Sequence, residues 1–161
     1  MQEKKRYRRY LPWAIALLLL ITLFFFSAQR GVASHGISIG LTGRVMAVLE
    51  PYFDFVRTAS ETVLSGRVNY ILRKAAHVTI FFFLTIFVLL GYRGVLKKKR
   101  LVVAATFLTV LAAAGLDELH QVFVAGRSAS LSDVLVDSIG IAAALAAVGL
   151  FLLIRRAVDW L

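Results

Sequence analysis

A chain of 161 residues, 60% of them apolar and with a mean hydropathy of +0.80, is well above the roughly 45–50% apolar content of a soluble domain. Its length leaves room for one bundle and no second domain, and the absence of cysteine excludes disulfides and thiolate chemistry. The net charge of +10 suggests nucleic acid as a partner, but no basic face with base-reading side chains accompanies it, so nucleic-acid binding is set aside.

In chain order, the first apolar run covers residues 11–27 and follows Lys4, Lys5, Arg6, Arg8 and Arg9. A basic start and apolar middle also describe a secretory signal. The run is long for a signal, however, and no small-x-small cleavage site follows it. Residues 30–73 then form the one sizeable loop. In it Ile39, Val45, Met46, Leu49, Tyr52, Phe53, Val56, Val63 and Leu64 recur at mostly helical intervals, broken by Pro51. This pattern fits two short amphipathic helices lying at the membrane surface, and the plainer, preferred reading is that they merely cap the bundle. Further apolar runs follow at residues 75–92, 101–116 and 134–154. The third is short, but helix can continue through Asp117 to Phe123. A bilayer core about 30 Å thick needs roughly 17–25 helical residues, and in hydrocarbon every backbone group must be paired within the segment. The expectation is an all-α integral membrane protein: a compact four-helix transmembrane bundle with spans at about 11–28, 74–92, 101–122 and 133–154.

Orientation comes from the basic residues in the flanks. The N-terminal tail, the segment Arg93 to Arg100 and the pair Arg155 and Arg156 fall on one side of a four-span bundle. Together they hold 12 of the 19 Lys and Arg residues, against Glu3 and Asp159 as acids. The opposite side has seven basic and seven acidic residues. The whole net charge therefore sits on one side, which predicts both termini in the cytoplasm of a multi-pass cell-membrane protein, with the amphipathic loop outside.

The polar residues of the spans collect at the other end. Ser27 and Gln29 close the first span. Arg73, Lys74 and His77 open the second, and Asp117, Glu118, His120 and Gln121 close the third. Asp133 and Asp137 begin the fourth, with Gly140 beyond. Arg73 and His77, Asp117 and Gln121, and Asp133 and Asp137 are each spaced i,i+4 and so share a helix face. Gly140 continues the aspartate stripe, where it would admit another helix closely. Charges at membrane depth normally face a bundle interior or a wet cavity, so the four helices are expected to line one polar pocket opening outward. Gly126, Arg127 and Ser128 read as a turn, and Ser130 as an N-cap that places Asp133 near the positive end of the last helix.

These residues resemble the signature of the VanZ-like family of bacterial membrane proteins. The resemblance rests on Ser27-Ala28-Gln29, Arg73-Lys74-Ala75-Ala76-His77, Asp117-Glu118-Leu119-His120-Gln121, Gly126-Arg127, Asp133 and Gly140, and extends from about Pro12 to Leu153. Two positions depart from it: Asp137 stands where many relatives have Asn, and Phe81 where an aromatic hydroxyl is often expected. The resemblance implies a protein of the bacterial cell envelope. The family takes its name from a member linked to teicoplanin resistance.

Several chemistries fit the cluster. His77 has the titration range of a general acid or base, with Asp117, Glu118 and His120 as further candidates for catalysis and Asp133 and Asp137 to orient them. A histidine tying two helices together by hydrogen bonds is the plainer reading. His77, His120 and the carboxylates include metal-ligand types, but their spacing matches no compact metal motif, so no metal site and no cofactor is assigned. Arg73, Lys74 and Arg127, with Gln29, Ser27 and Gln121 as hydrogen-bonding neighbours, suit an anionic headgroup, since guanidinium grips phosphate with two parallel hydrogen bonds. Membrane lipids, lipid-linked cell-wall precursors and teichoic acids all offer such phosphates. Ser27 as nucleophile lacks an adjacent base and is better explained by bundle hydrogen bonding. A transport path would need polar groups or broken helices near the midplane, and the spans have no central charge. Binding, catalysis and a purely structural cluster stay open at this level.

Overall fold

The computed structural model describes residues 2–28, 44–45, 47–48, 61–125 and 129–158. Within them lie four long helices and no strand: α1 Gln2–Ser27, α2 Glu61–Arg93, α3 Lys99–Gln121 and α4 Leu131–Val158. Each contains a stretch long and apolar enough to cross a membrane: Arg9–Ser27, Tyr70–Arg93, Lys99–Gln121 and Leu131–Arg156. At 1.5 Å per residue even the 23-residue α3 spans about 35 Å. The molecule is a multi-pass membrane protein.

Two helices run past their apolar stretches. α1 begins at Gln2, so Pro12 lies inside it. There, ten residues into the helix, its ring removes one backbone hydrogen bond toward the basic end. α2 begins at Glu61, so residues 61–73 of the expected outer loop are the first turns of a helix. Of the rest of that loop, residues 44–45 and 47–48 are helical. The turn expected at Gly126 to Ser128 lies outside the described residues. α3 unwinds beyond Gln121 through 3-residue turns, with the amides of Val122, Phe123 and Val124 bonded to the carbonyls of Leu119, His120 and Gln121.

The helices alternate up and down. The end of α1 meets the end of α3, the start of α2 meets the start of α4, and Trp13 near the start of α1 meets Tyr92 near the end of α2. Both termini therefore lie at the same end of the bundle. α2 packs against all three other helices, most extensively against α4.

Each inner face follows helical periodicity: Ala16, Leu23 and Ser27 on α1; Phe81, Leu84, Thr85 and Val88 on α2; Val102, Thr106, Val110, Ala114, Asp117 and Gln121 on α3; Asp137, Ile141 and Ala144 on α4. The buried hydroxyls of Thr85 and Thr106 donate to the carbonyls of Phe81 and Val102, four residues back, at 2.7 Å each, which satisfies them within their own helices. Leucines and phenylalanines cover the outside, among them Leu17, Phe25, Leu108, Leu135 and Phe151. That surface is hydrophobic because its solvent is lipid.

Gly140 fixes the closest helix contact. A Cβ there would collide with the carbonyl oxygen of Val78 and lie 3.1 Å from the amide nitrogen of Phe82. Backbone meets backbone at this crossing, a geometry that only glycine permits. It lies one turn below Asp137 on α4 and beside His77 on α2, and so sets the spacing of both.

Candidate functional site

The polar residues of the four helix ends do converge. They form three linked groups above the Gly140 crossing.

The first group joins α1 and α3 to the start of α4. Asp117 is fully buried. Its Oδ2 accepts hydrogen bonds from Ser27 Oγ at 2.9 Å and from Gln121 Nε2 at 3.0 Å. The same amide nitrogen donates to Glu118 Oε1 at 3.0 Å, and Glu118 Oε2 accepts from the backbone amide of Ser130 at 3.0 Å. The i,i+3 and i,i+4 positions of Glu118 and Asp117 relative to Gln121 make the local half of this chain inevitable. Its long-range half, Ser27 to Asp117, bridges two helices ninety positions apart in sequence.

Ser130 begins α4 as expected. Its Oγ accepts from the amide of Ser132 at 3.2 Å and its carbonyl from the amide of Asp133 at 2.9 Å. The Ser130 and Ser132 hydroxyls also bond to one another. The bond from the Ser130 amide to Glu118 makes a carboxylate of α3 part of the start of α4, a role that spacing does not announce.

The second and third groups lie along the α2–α4 seam. Lys74 Nζ pairs with Asp133 Oδ2 at 2.5 Å, and His77 Nδ1 faces Asp137 Oδ1 at 3.6 Å. The last distance is beyond hydrogen-bond length. One turn of α2 separates the imidazole from Arg73, for which no ion pair exists among the described residues. The exposed rim is formed by Lys74, Asp133 and His77, with side chains 18%, 20% and 16% accessible, whereas Asp117 and Asp137 form a closed floor. The three groups sense one another. His77 and Asp137 lie within electrostatic reach of Asp117, and Lys74, Asp133 and Asp117 within reach of Glu118.

Three carboxylate oxygens stand apart: Asp117 Oδ1 and both Oδ1 and Oδ2 of Asp137 are buried with no hydrogen-bond partner among the described residues. Buried polar atoms are nearly always paired, so these three are the chemically unfinished part of the cluster. Sequence patterning places Asp137 on the inner stripe but gives no sign that it is unpaired.

His120 takes a different position from the other candidates. Its ring lies edge-on to Phe24, with centroids 5.8 Å apart, and its buried Nε2 has no hydrogen-bond partner among the described residues. No carboxylate pairs with it among the described residues. Gln29 and Arg127 lie outside the described residues. Among the described residues no group of three or more His, Cys, Asp or Glu side chains is arranged to hold a metal. Phe81, at the position where a hydroxyl was considered, is a fully buried apolar side chain below His77.

Comparison with known proteins adds one finding: the family profile described as VanZ/LLP1 matches residues 12–155. No curated protein and no solved structure matches the chain.

Proposed function

The chain belongs to the VanZ/LLP1 family, and from that premise we propose that its polar helix ends form an outward-facing site for a lipid-anchored anionic component of the bacterial envelope. The observation that carries the proposal is the convergence of charged and hydrogen-bonding side chains from all four helices at the end opposite the basic flanks. The basic flanks go to the cytoplasm by the positive-inside rule, so this end faces out, both termini are cytoplasmic, and the membrane is the cell membrane. Lipid-linked cell-wall precursors and teichoic acids present their phosphates at that face. Arg73 and Arg127 are the anion-binding side chains, and Lys74 adds positive potential at the rim. Occupancy of the site alters susceptibility to glycopeptides of the teicoplanin type by changing the envelope component they meet.

The His77–Asp137 pair extends the proposal to chemistry. The Asp137 carboxylate lies on the Nδ1 side of the His77 ring at 3.6 Å and leaves Nε2 for a ligand, an arrangement that becomes that of an acid–base histidine when the pair closes to hydrogen-bond length. The test substitutes His77→Ala, Glu118→Gln and Arg127→Ala separately. Loss of the envelope phenotype with an intact fold supports the site. Three folded variants with an unchanged phenotype overturn it.

A second reading has its own support. The run from Ser27 through Asp117, Gln121 and Glu118 to Ser130 ties three helices together, as a non-catalytic scaffold or binding protein would require. On that reading the same substitutions lower thermal stability in detergent in step with function, and no candidate lipid is turned over.

A further inference from the structure

We propose that the ligand of this cluster carries a protonated primary amine, received by the carboxylates of Asp137 and Asp117, alongside the anionic group that the preceding reading assigns to it. The argument rests on that binding reading and on the hydrogen-bond inventory of the site. Most donors of the cluster are committed elsewhere: Lys74 to Asp133, Ser27 to Asp117 Oδ2, Gln121 to Asp117 Oδ2 and Glu118, and the Ser130 amide to Glu118, while His77, His120 and Arg73 make no hydrogen bond to the open oxygens among the described residues. Three acceptors have no such commitment. Asp117 Oδ1, Asp137 Oδ1 and Asp137 Oδ2 are fully buried and unpartnered among the described residues. His77 Nδ1, at 3.6 Å from Asp137, is too far for a hydrogen bond. The floor of the cluster accepts, so what completes it must donate.

The number and kind of acceptors narrow the class. An ammonium has three N–H donors and a full positive charge, so it can donate to more than one of these oxygens in a low-dielectric setting where charge-assisted bonds are strongest. A divalent cation would need a ligand set that the described residues do not assemble. A quaternary ammonium has charge but no N–H and leaves the oxygens unpaired. Asp137 lies beside His77, whose partly accessible side chain belongs to the rim. Arg73, four residues or about 6 Å along α2 from His77, is then placed for the anionic part of the same headgroup. The pattern fits a zwitterion with amine inside and phosphate at the rim, as in an aminoethyl phosphate diester.

The test uses the purified full chain in detergent with short-chain phosphatidylethanolamine, its mono- and dimethyl derivatives, phosphatidylcholine and phosphatidylglycerol, with binding read by native mass spectrometry and thermal shift. Phosphatidylethanolamine is expected to bind roughly tenfold more tightly than phosphatidylcholine or phosphatidylglycerol, with affinity falling at each N-methylation. Asp137→Asn removes this preference, and Asp117→Asn weakens it. Equal binding of phosphatidylethanolamine and phosphatidylcholine, or a preference that survives Asp137→Asn, overturns the amine. If phosphatidylglycerol binds as well as phosphatidylethanolamine and Arg73→Ala weakens both, the anion-binding reading stands and the amine alone falls. If no lipid binds, the binding reading falls and takes the amine with it. Should Asp137→Asn fail to fold, the methylation series on the unaltered chain decides the question.

Discussion

The two ends of the bundle use charge in opposite ways. At the end holding the termini, Arg9, Arg93, Lys97, Lys98, Lys99 and Arg100 are all exposed, and the interior beneath them is aromatic. Trp13 meets Tyr92 edge to face at 5.0 Å and covers Gly91, while the Tyr92 hydroxyl bonds to Thr109 at 2.9 Å. At the other end Asp117, Glu118 and Asp137 are buried, and Ser27 and Gln121 are buried with them. A solvated charge needs no partner, so the basic end can carry many and still be held by packing. A charge within the bundle must be paired or must await a ligand. The number of charges does not distinguish the ends. Their direction does, and it makes one end an anchor and the other a candidate site.

Glycine substitutions test that contrast most strongly. Gly140→Ala drives a methyl group into the backbone of α2 and is expected to cost about 3 kcal/mol, seen as a large fall in melting temperature in detergent. Gly91→Ala brings a methyl against the Trp13 ring, with the nearest ring carbon at 2.5 Å. That obstacle is a side chain able to turn aside, so about 1 kcal/mol is expected. Equal losses at the two positions would remove the distinction between backbone and side-chain packing at the two ends. Gly115→Ala, with nothing within 4 Å of the added carbon, should leave stability unchanged or raise it by up to about 1 kcal/mol through helix propensity.

Asp117→Ala comes next, because it strands the Ser27 hydroxyl and one bond of the Gln121 amide. A loss of about 1.5 kcal/mol is expected, near the upper end for hydrogen bonds between membrane helices. The double variant with Ser27→Ala should recover part of it, since the Ser27 hydroxyl is then no longer left as an unmade donor. Lys74→Met uncouples the partly exposed pair with Asp133 and should cost no more than about 1 kcal/mol. The smallest effect is expected from Lys98→Gln with Lys99→Gln at the anchor end. Stability in detergent should move by less than about 0.5 kcal/mol, while a topology reporter fused to the C-terminus should show more inverted molecules. A stability loss there as large as that of Asp117→Ala would mean that the basic residues hold the fold as well as orient it.

Apolar run length and flanking charge were sufficient to read the membrane class, the four spans and the end at which the polar residues gather. Those are one-dimensional properties, set by bilayer thickness and by the cost of moving charge across it. Helical spacing also gave the faces: Asp117 with Gln121, Asp133 with Asp137, and Gly140 on their stripe. Spacing within a helix says nothing about the axial offset between helices, and that offset is what chose the partners. Lys74 meets Asp133, where the i,i+4 pattern had drawn attention to Arg73. His120 turns to Phe24, although it lies only three residues from Asp117. Glu118 reaches the Ser130 amide across a connection whose path the sequence leaves unspecified. The chain by itself determined where polarity is placed along the membrane normal. Only tertiary packing, with the Gly140 contact against α2 at its centre, decided which acids are hydrogen-bonded and which, like Asp137, have no hydrogen-bond partner among the described residues.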